Sequence, residues 1–318
     1  MRIVVLDGYT LNPGDNPWDE VAALGDFTVY DRTPKDRIVE RAKDADIVLT
    51  NKTPLSAQTL EQLPKLKFVA VLATGYNVVD VVAARERGIA VSNVPVYGTD
   101  SVAQFVFALV FELCRHVAEH DASVKSGDWS KSADFCYWNT PLLELVGKRM
   151  GIVGFGRIGR RVGELAHAFG MEVLAHDVQP GDAPKYSPFS WRTLDNVFAE
   201  ADIVSLHCPQ TDENTGFVNA RLLGRMQKHA FFINTARGGL VNEADLAQAL
   251  NMGAIAGAAV DVVSSEPIAP DNPLLGPRNI VITPHIAWAT LAARQRLMKS
   301  TAENVAAFIQ GTPINVVN

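Results

Sequence analysis

The chain of 318 residues is long for a single hydrophobic core, so its length favours two domains. Hydrophobic residues make up 47% and charged residues 20%, as in ordinary globular proteins, and the net charge of −6 argues against a general nucleic-acid binder. The three cysteines, Cys114, Cys136 and Cys208, lack pairing or metal-ligand spacing, which favours free thiols in a reducing compartment, the cytoplasm.

The N-terminal segment "MRIVVLDGYT" has neither the long apolar stretch nor the small-residue cleavage site of a signal peptide. Its short apolar run instead predicts a first β-strand. Short apolar runs then alternate with helical stretches through the first hundred residues. Such alternation predicts a parallel sheet that helices cover on both faces. The predicted strands are 3–7, 28–31, 47–51, 68–74 and 90–94.

The most apolar segment, "VAQFVFALVFELC" at 102–114, follows this first unit. It is too short to span a bilayer and contains Gln104 and Glu112, so we expect no membrane partner. Because it is apolar nearly all round, it predicts a helix buried between domains or subunits.

The strand pattern restarts near residue 150 and predicts a second doubly wound parallel sheet. The last stretch has helical spacing and ends at Gly311 and Pro313, as a helix that packs back onto the first domain would. We therefore predict an α/β fold with a discontinuous first domain, 1–99 plus 288–318, around an inserted domain, 100–287. The predicted strands of the second sheet are 150–154, 172–177, 202–208, 230–236, 254–263 and 279–284.

Three glycines, Gly154, Gly156 and Gly159, lie between the first strand of the second unit and the helix after it. In this strand–turn–helix context, G-x-G-x-x-G is typical of dinucleotide binding. The glycines permit a tight turn, close approach of the backbone to a pyrophosphate, and close packing of the helix on the strand. The helix N-terminus would direct its amides at the phosphates.

Asp177 ends the next predicted strand, where a carboxylate can accept hydrogen bonds from ribose hydroxyls and repel a 2′-phosphate. The sequence therefore predicts NAD in preference to NADP. No arginine follows in "HDVQP", but assistance to a phosphate from Arg157, Arg160 or Arg161 stays open.

Polar residues follow later strands of the same sheet, and ligands of such sheets bind beyond the carboxyl ends of strands. His285 would be the proton donor for hydride transfer to a carbonyl, and Glu266 would orient its imidazole in the protonated form. Arg237 could hold a carboxylate and polarise the adjacent ketone. His207 also ends a strand, where it either lines the cofactor site or packs in the core. The spacing of potential ligands predicts no metal site.

The motifs "VGFGRIG", "INTARGG", "DVVSSEP" and "TPHIAW", in this order, resemble those of the D-isomer-specific 2-hydroxyacid dehydrogenases. The likeness extends over essentially the whole chain and includes "VLATGYNVVD". Segments 73–80, 138–146 and 285–290 resemble the glycerate dehydrogenase/hydroxypyruvate reductase branch most. The resemblance implies a flavodoxin-like substrate domain and a Rossmann NAD domain, with a cleft between them.

The resemblance also implies roles for individual residues. Arg237 would bind the substrate carboxylate and keto oxygen, His285 would donate the proton, and Glu266 would pair with His285. The amides of Thr74 and Gly75 would bind the substrate carboxylate. The implied cofactor contacts are Gly154, Gly156, Arg157, Ile158, Gly159, Asp177, His207, Cys208, Pro209, Thr235, Ala236 and Asp261.

Family members are commonly homodimers, so the resemblance predicts an interface formed by a helix at 101–118 and the segment after it. Trp138 would either reach the neighbouring subunit's active site or simply pack against its own chain.

The sequence thus predicts NADH-dependent reduction of a small 2-keto acid, first hydroxypyruvate or glyoxylate, to D-glycerate or glycolate. One alternative is an enzyme that prefers NADPH or a bulkier keto acid such as phenylpyruvate. Another is a non-enzymatic, NADH-sensing protein similar to the corepressors of this fold.

Overall fold

The computed structural model describes all 318 residues, in two compact units. The first unit comprises Met1–Gly98 and Trp288–Asn318, and the second comprises Thr99–Ala287. That the first binds substrate and the second binds NAD stays a prediction.

The strands are β1 (Arg2–Val5), β2 (Asp26–Val29), β3 (Ile47–Thr50), β4 (Phe68–Val71), β5 (Ala90–Ser92), β6 (Arg149–Val153), β7 (Glu172–His176), β8 (Phe189–Trp191), β9 (Ile203–Leu206), β10 (Phe231–Asn234), β11 (Gly257–Val260) and β12 (Ile280–Ile282). The helices are α1 (Asp19–Ala22), α2 (Ile38–Ala42), α3 (Ala57–Glu61), α4 (Val81–Glu86), α5 (Thr99–Arg115), α6 (Val117–Lys125), α7 (Arg157–Ala168), α8 (Leu194–Glu200), α9 (Ala220–Leu223), α10 (Glu243–Asn251) and α11 (Leu291–Ile309).

The first unit contains a parallel sheet with the strand order β2-β1-β3-β4-β5. Successive side chains of a strand point to opposite faces. Accordingly, Ile3 and Val5 pack in a core with residues of α1 and α11, whereas Val4 and Leu6 pack in a core with residues of α2, α3 and α4. This burial on both faces explains the continuous apolar runs of the sequence.

The second unit contains seven parallel strands in the order β12-β11-β10-β9-β6-β7-β8. The chain order reverses between β6 and β9, so the carboxyl ends of these two strands form the switch point where such sheets bind ligands. The α/β prediction with two parallel-sheet domains is confirmed. The prediction of about six strands in the second sheet was wrong, because β8 is a half-buried edge strand of three residues with no apolar run to mark it.

The helix expected over 101–118 is broken, which corrects that prediction. α5 ends at Arg115, and His116 adopts the left-handed conformation at φ 48° before α6 begins. α5 packs with α7 in one core of the second unit. By length and hydropathy, no single helix could cross a membrane; α5 and α6 pass only as a pair, with a bend of 54° between them.

Candidate active site

The glycine loop joins β6 to α7, and two of its glycines are required by the packing of the chain itself. Gly154 has φ +92°, and a Cβ there would collide with the backbone of Cys208. A Cβ on Gly159 would collide with the carbonyl oxygen of Gly154. A Cβ on Gly156, in contrast, would meet nothing within 4 Å. The open space at Gly156 therefore suits a ligand that approaches the backbone.

The N-terminus of α7 has unsatisfied amide donors. Gly156 is its N-cap and supplies no side-chain acceptor, and the amides of Arg157, Ile158 and Gly159 have no acceptor within the chain. Unpaired amides and the positive end of the helix dipole together attract an anion. The predicted pyrophosphate contacts are thus chemically suited to that group.

Asp177 follows β7 and faces the glycine loop. Its Oδ2 accepts a hydrogen bond from the Phe155 amide at 2.7 Å, and its Oδ1 accepts one from the Gln179 amide at 3.0 Å. This half-buried carboxylate therefore places negative charge beside the loop, where a ribose would lie.

Two of the three arginines that could assist a 2′-phosphate have other partners. Arg160 donates to the carbonyl oxygen of Asp182 at 2.9 Å. Arg161 forms ion pairs with Asp100 and Glu164, each at 2.7 Å. Arg157 is exposed at the start of α7.

His207, Cys208 and Pro209 follow β9, beside Gly154, and the first two are neutral groups. Burial lowers the pKa of His207 to about 3, and its Nε2 lies 2.9 Å from the Ser205 hydroxyl. Burial raises the pKa of the Cys208 thiol to about 11. These side chains can shape the site at neutral pH, but neither is poised to transfer a proton there.

The turn after β10 presents Thr235 and Ala236. The Thr235 hydroxyl is buried without a hydrogen-bond partner, which is rare for a buried polar group, so this oxygen can form a hydrogen bond with a cofactor. Asn234 shapes the turn: its Oδ1 accepts from the Ala236 amide at 3.0 Å, and its Nδ2 donates to the Arg237 carbonyl at 2.9 Å. Sequence reasoning missed Asn234, since its partners are backbone groups.

His285 and Glu266 form the hydrogen-bonded pair that the sequence predicted. Nδ1 of His285 lies 2.7 Å from Oε2 of Glu266, whose Oε1 accepts a hydrogen bond from the Val263 amide at 3.3 Å. An ionised carboxylate only accepts, so Nδ1 carries the hydrogen of this bond, and acid–base chemistry of the imidazole would use Nε2. His285 has φ +55°, an uncommon conformation for a residue with a side chain and one that recurs at functional sites.

Asp261 holds the loop that carries His285. Its carboxylate accepts hydrogen bonds from the Thr283 hydroxyl at 2.6 Å and from the amides of Ile286 and Ala287 at 2.9 and 2.8 Å. Burial raises the pKa of Asp261. These contacts place Asp261 under the His285 loop, whereas its predicted contact with the nicotinamide stays a prediction.

Arg237 is exposed and has no carboxylate partner; one of its guanidinium nitrogens donates to the neighbouring Ala236 carbonyl at 2.7 Å. A Cβ on the next residue, Gly238, would collide with the backbone of Val263. The turn that bears Arg237 therefore packs against the segment that leads to Glu266. A guanidinium without a carboxylate partner can bind a carboxylate ligand through two parallel hydrogen bonds.

Glu243, at the start of α10, supports the segment before Glu266. Its carboxylate accepts hydrogen bonds from the amide and hydroxyl of Ser264 at 2.6 and 2.8 Å and from Asn272 at 2.9 Å. Sequence reasoning missed this residue, because an acid in the first turn of a helix is common and marks no site.

Thr74 and Gly75 follow β4 in the first unit. The Thr74 hydroxyl donates to the Val94 carbonyl at 2.8 Å, and the Thr74 carbonyl accepts from the Asn93 side chain at 2.7 Å. The amides of Thr74 and Gly75 donate to no acceptor within the chain. The loop is thus fixed through its other polar groups, while two donors stay available to an anion.

Comparison with known proteins gives a consistent set of relatives. Residues 107–287 match the family model of the D-isomer specific 2-hydroxyacid dehydrogenase NAD-binding domain. The chain is 49% identical to a hydroxypyruvate reductase from Blautia hydrogenotrophica, with 100% of both chains covered. It is 43% identical to a glycerate dehydrogenase from Methylorubrum extorquens, with 90% of this chain and 89% of the relative covered.

Solved structures include similar folds. The crystal structure of an NADPH-dependent glyoxylate/hydroxypyruvate reductase from Sinorhizobium meliloti, in complex with NADP and malonate, superposes with a TM-score of 0.85 at 27% identity. The match covers 99% of this chain and 96% of that chain.

Proposed function

The chain belongs to the D-isomer-specific 2-hydroxyacid dehydrogenases, and on that premise we propose that it reduces hydroxypyruvate, and glyoxylate as a second substrate, with NADH. The family and the oxidoreductase class predicted from the sequence are confirmed, as is the use of a nicotinamide cofactor and a small keto or hydroxy acid. The observation that carries the proposal is the 2.7 Å pair of His285 and Glu266, in the same unit as the glycine loop and Arg237.

In the proposed reaction, residues of the chain bind the substrate, stabilise the charge that develops on it and transfer one proton. When bound, the reduced nicotinamide supplies a hydride to the keto carbon. Nε2 of His285 gives its proton to the keto oxygen, and Glu266 holds Nδ1–H and stabilises the imidazolium before transfer. Arg237 binds the substrate carboxylate through its planar guanidinium and stabilises the negative charge that develops on the oxygen. Oxidation of the hydroxy acid returns the proton to Nε2.

Four features of the second unit would hold the cofactor. The open amides of α7 suit the pyrophosphate, and Gly156 leaves room for its approach. Asp177 would accept the ribose hydroxyls, and the unpartnered Thr235 hydroxyl would bind on the nicotinamide side. NADH is favoured over NADPH, because the Asp177 carboxylate repels a 2′-phosphate while Arg160 and Arg161 are engaged elsewhere.

The choice of hydroxypyruvate rests on the two relatives named above, which are described as a hydroxypyruvate reductase and a glycerate dehydrogenase. The test crosses NADH and NADPH with hydroxypyruvate, glyoxylate, pyruvate and phenylpyruvate, and follows the absorbance of the reduced nicotinamide. Turnover with hydroxypyruvate and NADH is the expected result. A preference for NADPH or for phenylpyruvate would favour a reductase with that cofactor or with bulkier substrates. NADH binding without turnover would favour a non-enzymatic, NADH-sensing protein similar to the corepressors of this fold.

A homodimer is also part of the proposal, formed through the arm of residues 117–146. Phe135 and Trp138 are 89% and 65% exposed on it, although local hydrogen bonds hold the arm in shape, such as that from the Trp129 indole to the Phe135 carbonyl at 3.0 Å. Exposed aromatic side chains on an ordered surface are typical of an interface.

The dimer is tested by sedimentation of a variant that combines Phe135→Glu and Trp138→Glu, which should be monomeric. Met252→Glu, at a residue 74% exposed outside the arm, is the matched control and should stay dimeric. A dimeric arm variant would place the interface elsewhere. A cytoplasmic location also stays a prediction, and the three free cysteines support it.

A further inference from the structure

Asp7, just beyond β1, binds three consecutive backbone amides with one carboxylate. Its Oδ1 accepts from the Asn51 amide at 2.8 Å, and its Oδ2 accepts from the amides of Lys52 and Thr53 at 2.5 and 2.7 Å. Successive amides that converge on an anion form a nest, and hydrogen bonds to a charged acceptor are stronger than those to a neutral one. The chain thus supplies its own anion to fix the loop of residues 51–53.

The loop of residues 51–53 follows β3 at the carboxyl edge of the first sheet, where β3 lies between β1 and β4. Asp7 ties the loop to β1. On the other side, the Asn51 side chain donates to the Leu72 carbonyl at 2.6 Å, two residues before Thr74. The clamped loop is therefore joined to the segment whose amides at Thr74 and Gly75 have no acceptor within the chain.

A further hydrogen bond joins the two ends of the loop 51–53. The buried Thr50 hydroxyl donates to the Thr53 carbonyl at 2.7 Å, so the loop turns tightly before its chain continues to α3. Loops at such an edge usually move more than the strands that they connect. Three hydrogen bonds to one carboxylate restrict the motion of this loop, and a loop held in one conformation can exclude a ligand of slightly different shape.

We propose that Asp7 is a positioning residue that holds the loop 51–53 in the conformation that selects among small 2-keto acids. The amides of Thr74 and Gly75 would bind the carboxylate common to all of them, and the adjacent loop would face the group that differs, the hydroxymethyl of hydroxypyruvate or the hydrogen of glyoxylate. This inference rests on the proposed function.

The test compares Asp7→Ala and Asp7→Asn with Asp46→Asn. Asp46 is the matched control, because it accepts the Arg2 amide at 2.9 Å and pairs with Lys67 at 2.8 Å before β3, at the opposite edge of the same sheet. Asp7→Ala should raise the KM for hydroxypyruvate about tenfold and change the hydroxypyruvate-to-glyoxylate ratio of kcat/KM at least about threefold. The Kd of NADH should stay within about twofold, since the glycine loop belongs to the other unit.

Asp7→Asn keeps one acceptor oxygen and the side-chain shape, so it should restore part of the KM and of the substrate ratio. Asp46→Asn should leave both unchanged even where its Tm falls. Equal KM shifts in Asp7→Ala and Asp46→Asn, or an Asp7→Ala enzyme with lowered Tm and unchanged substrate ratio, would overturn the positioning role.

Hydrogen exchange separates this inference from the proposed function. If the unaltered enzyme turned over no keto acid, the proposed function would fail, and oxalate would serve as a carboxylate probe. Exchange at residues 51–53 should then be at least about tenfold faster in Asp7→Ala, and the protection of residues 74–75 by oxalate should be lost. Unchanged exchange, or oxalate protection equal to that of the unaltered chain, would reject the inference.

Discussion

The carboxyl edges of the two sheets are built from different chemical groups. The second unit presents ionisable side chains there, namely Arg237 and the hydrogen-bonded pair of Glu266 and His285. The first unit presents backbone amides, those of Thr74 and Gly75. Side chains that transfer protons are identifiable from motifs, whereas an available amide depends on which hydrogen bonds a loop leaves unmade.

The two edges nevertheless share one structural feature, an aspartate that follows a strand and accepts hydrogen bonds from the amides of a neighbouring loop. Asp7 holds the loop 51–53, and Asp261 holds the loop that carries His285. Asp177 binds the Phe155 amide of the glycine loop in the same way. Each carboxylate satisfies donors that a tight loop would otherwise leave unpaired. The two units therefore differ in the groups on the loops that these aspartates hold, which are side chains in the second unit and backbone amides in the first.

The largest expected effect comes from His285→Ala, which removes the imidazole that we propose as the proton donor. Loss of a positioned general acid should lower kcat by about 10²- to 10⁴-fold. The Kd of NADH should stay within about twofold, since the glycine loop and α7 do not depend on the imidazole. Steady-state kinetics and NADH fluorescence titration measure the two quantities.

His229→Ala is the matched control for that variant. His229 also pairs with a carboxylate, Asp202 at 2.8 Å, but it lies before β10, at the amino edge of the same sheet. It should keep nearly full kcat. Comparable losses of kcat in both variants would mean that His–carboxylate pairs stabilise this unit in general and that His285 is not the acid.

The next effect concerns the charge beside the glycine loop. Asp177→Asn removes the repulsion toward a 2′-phosphate but keeps an oxygen that can accept the Phe155 amide. The ratio of kcat/KM for NADPH to that for NADH should rise by about tenfold or more, the equivalent of about 1.4 kcal/mol. Asp182→Asn, on the exposed loop beyond Asp177, is the control for a general change of charge. An equal rise in both variants would deny Asp177 a specific role.

From the sequence one could predict which strand ends meet in the second unit, whereas the hydrogen bonds that hold the loops of either unit could not be predicted. Glu266 and His285 stand at the ends of distinct apolar runs, so strand topology alone brings their segments to one edge. Asp7, Asn234 and Glu243 were missed, because their partners are chiefly backbone groups whose positions follow from the folded loops.

Two errors in the predicted elements have the same local origin. β8 has three half-buried residues, too few for a periodic signal. The break at His116 lies in a sequence without glycine or proline, so no residue type marks the change in direction between α5 and α6.

A smaller effect concerns His207, the buried histidine after β9, which differs from the proposed proton donor His285 in being neutral. Burial lowers the pKa of His207 to about 3, below the ordinary value of 6.5, so the unfolded chain binds this proton first as pH falls. The contribution of neutral His207 to the free energy of unfolding is fully present above about pH 6.5 and is lost as the pH falls toward 3. Between pH 6 and pH 5, His207→Asn should therefore lose about 1 kcal/mol less unfolding free energy than the unaltered chain.

Urea unfolding at the two pH values measures that difference. The comparison uses the change with pH within each protein, so a uniform loss of stability in the variant does not affect it. Parallel decreases in the two proteins would mean that His207 takes up a proton while the chain is folded, contrary to its burial.

The smallest expected effect tests the amides of the first unit. Thr74→Ala removes the 2.8 Å hydrogen bond to the Val94 carbonyl, worth about 1 kcal/mol, without removing any amide. If the amides of Thr74 and Gly75 bind the substrate carboxylate, looser positioning should raise the keto-acid KM about two- to fivefold with a smaller change in kcat. Thr74→Ser keeps the hydroxyl and should restore the KM. An unchanged KM in Thr74→Ala, with a lowered Tm, would show that the hydroxyl stabilises the loop without positioning the substrate.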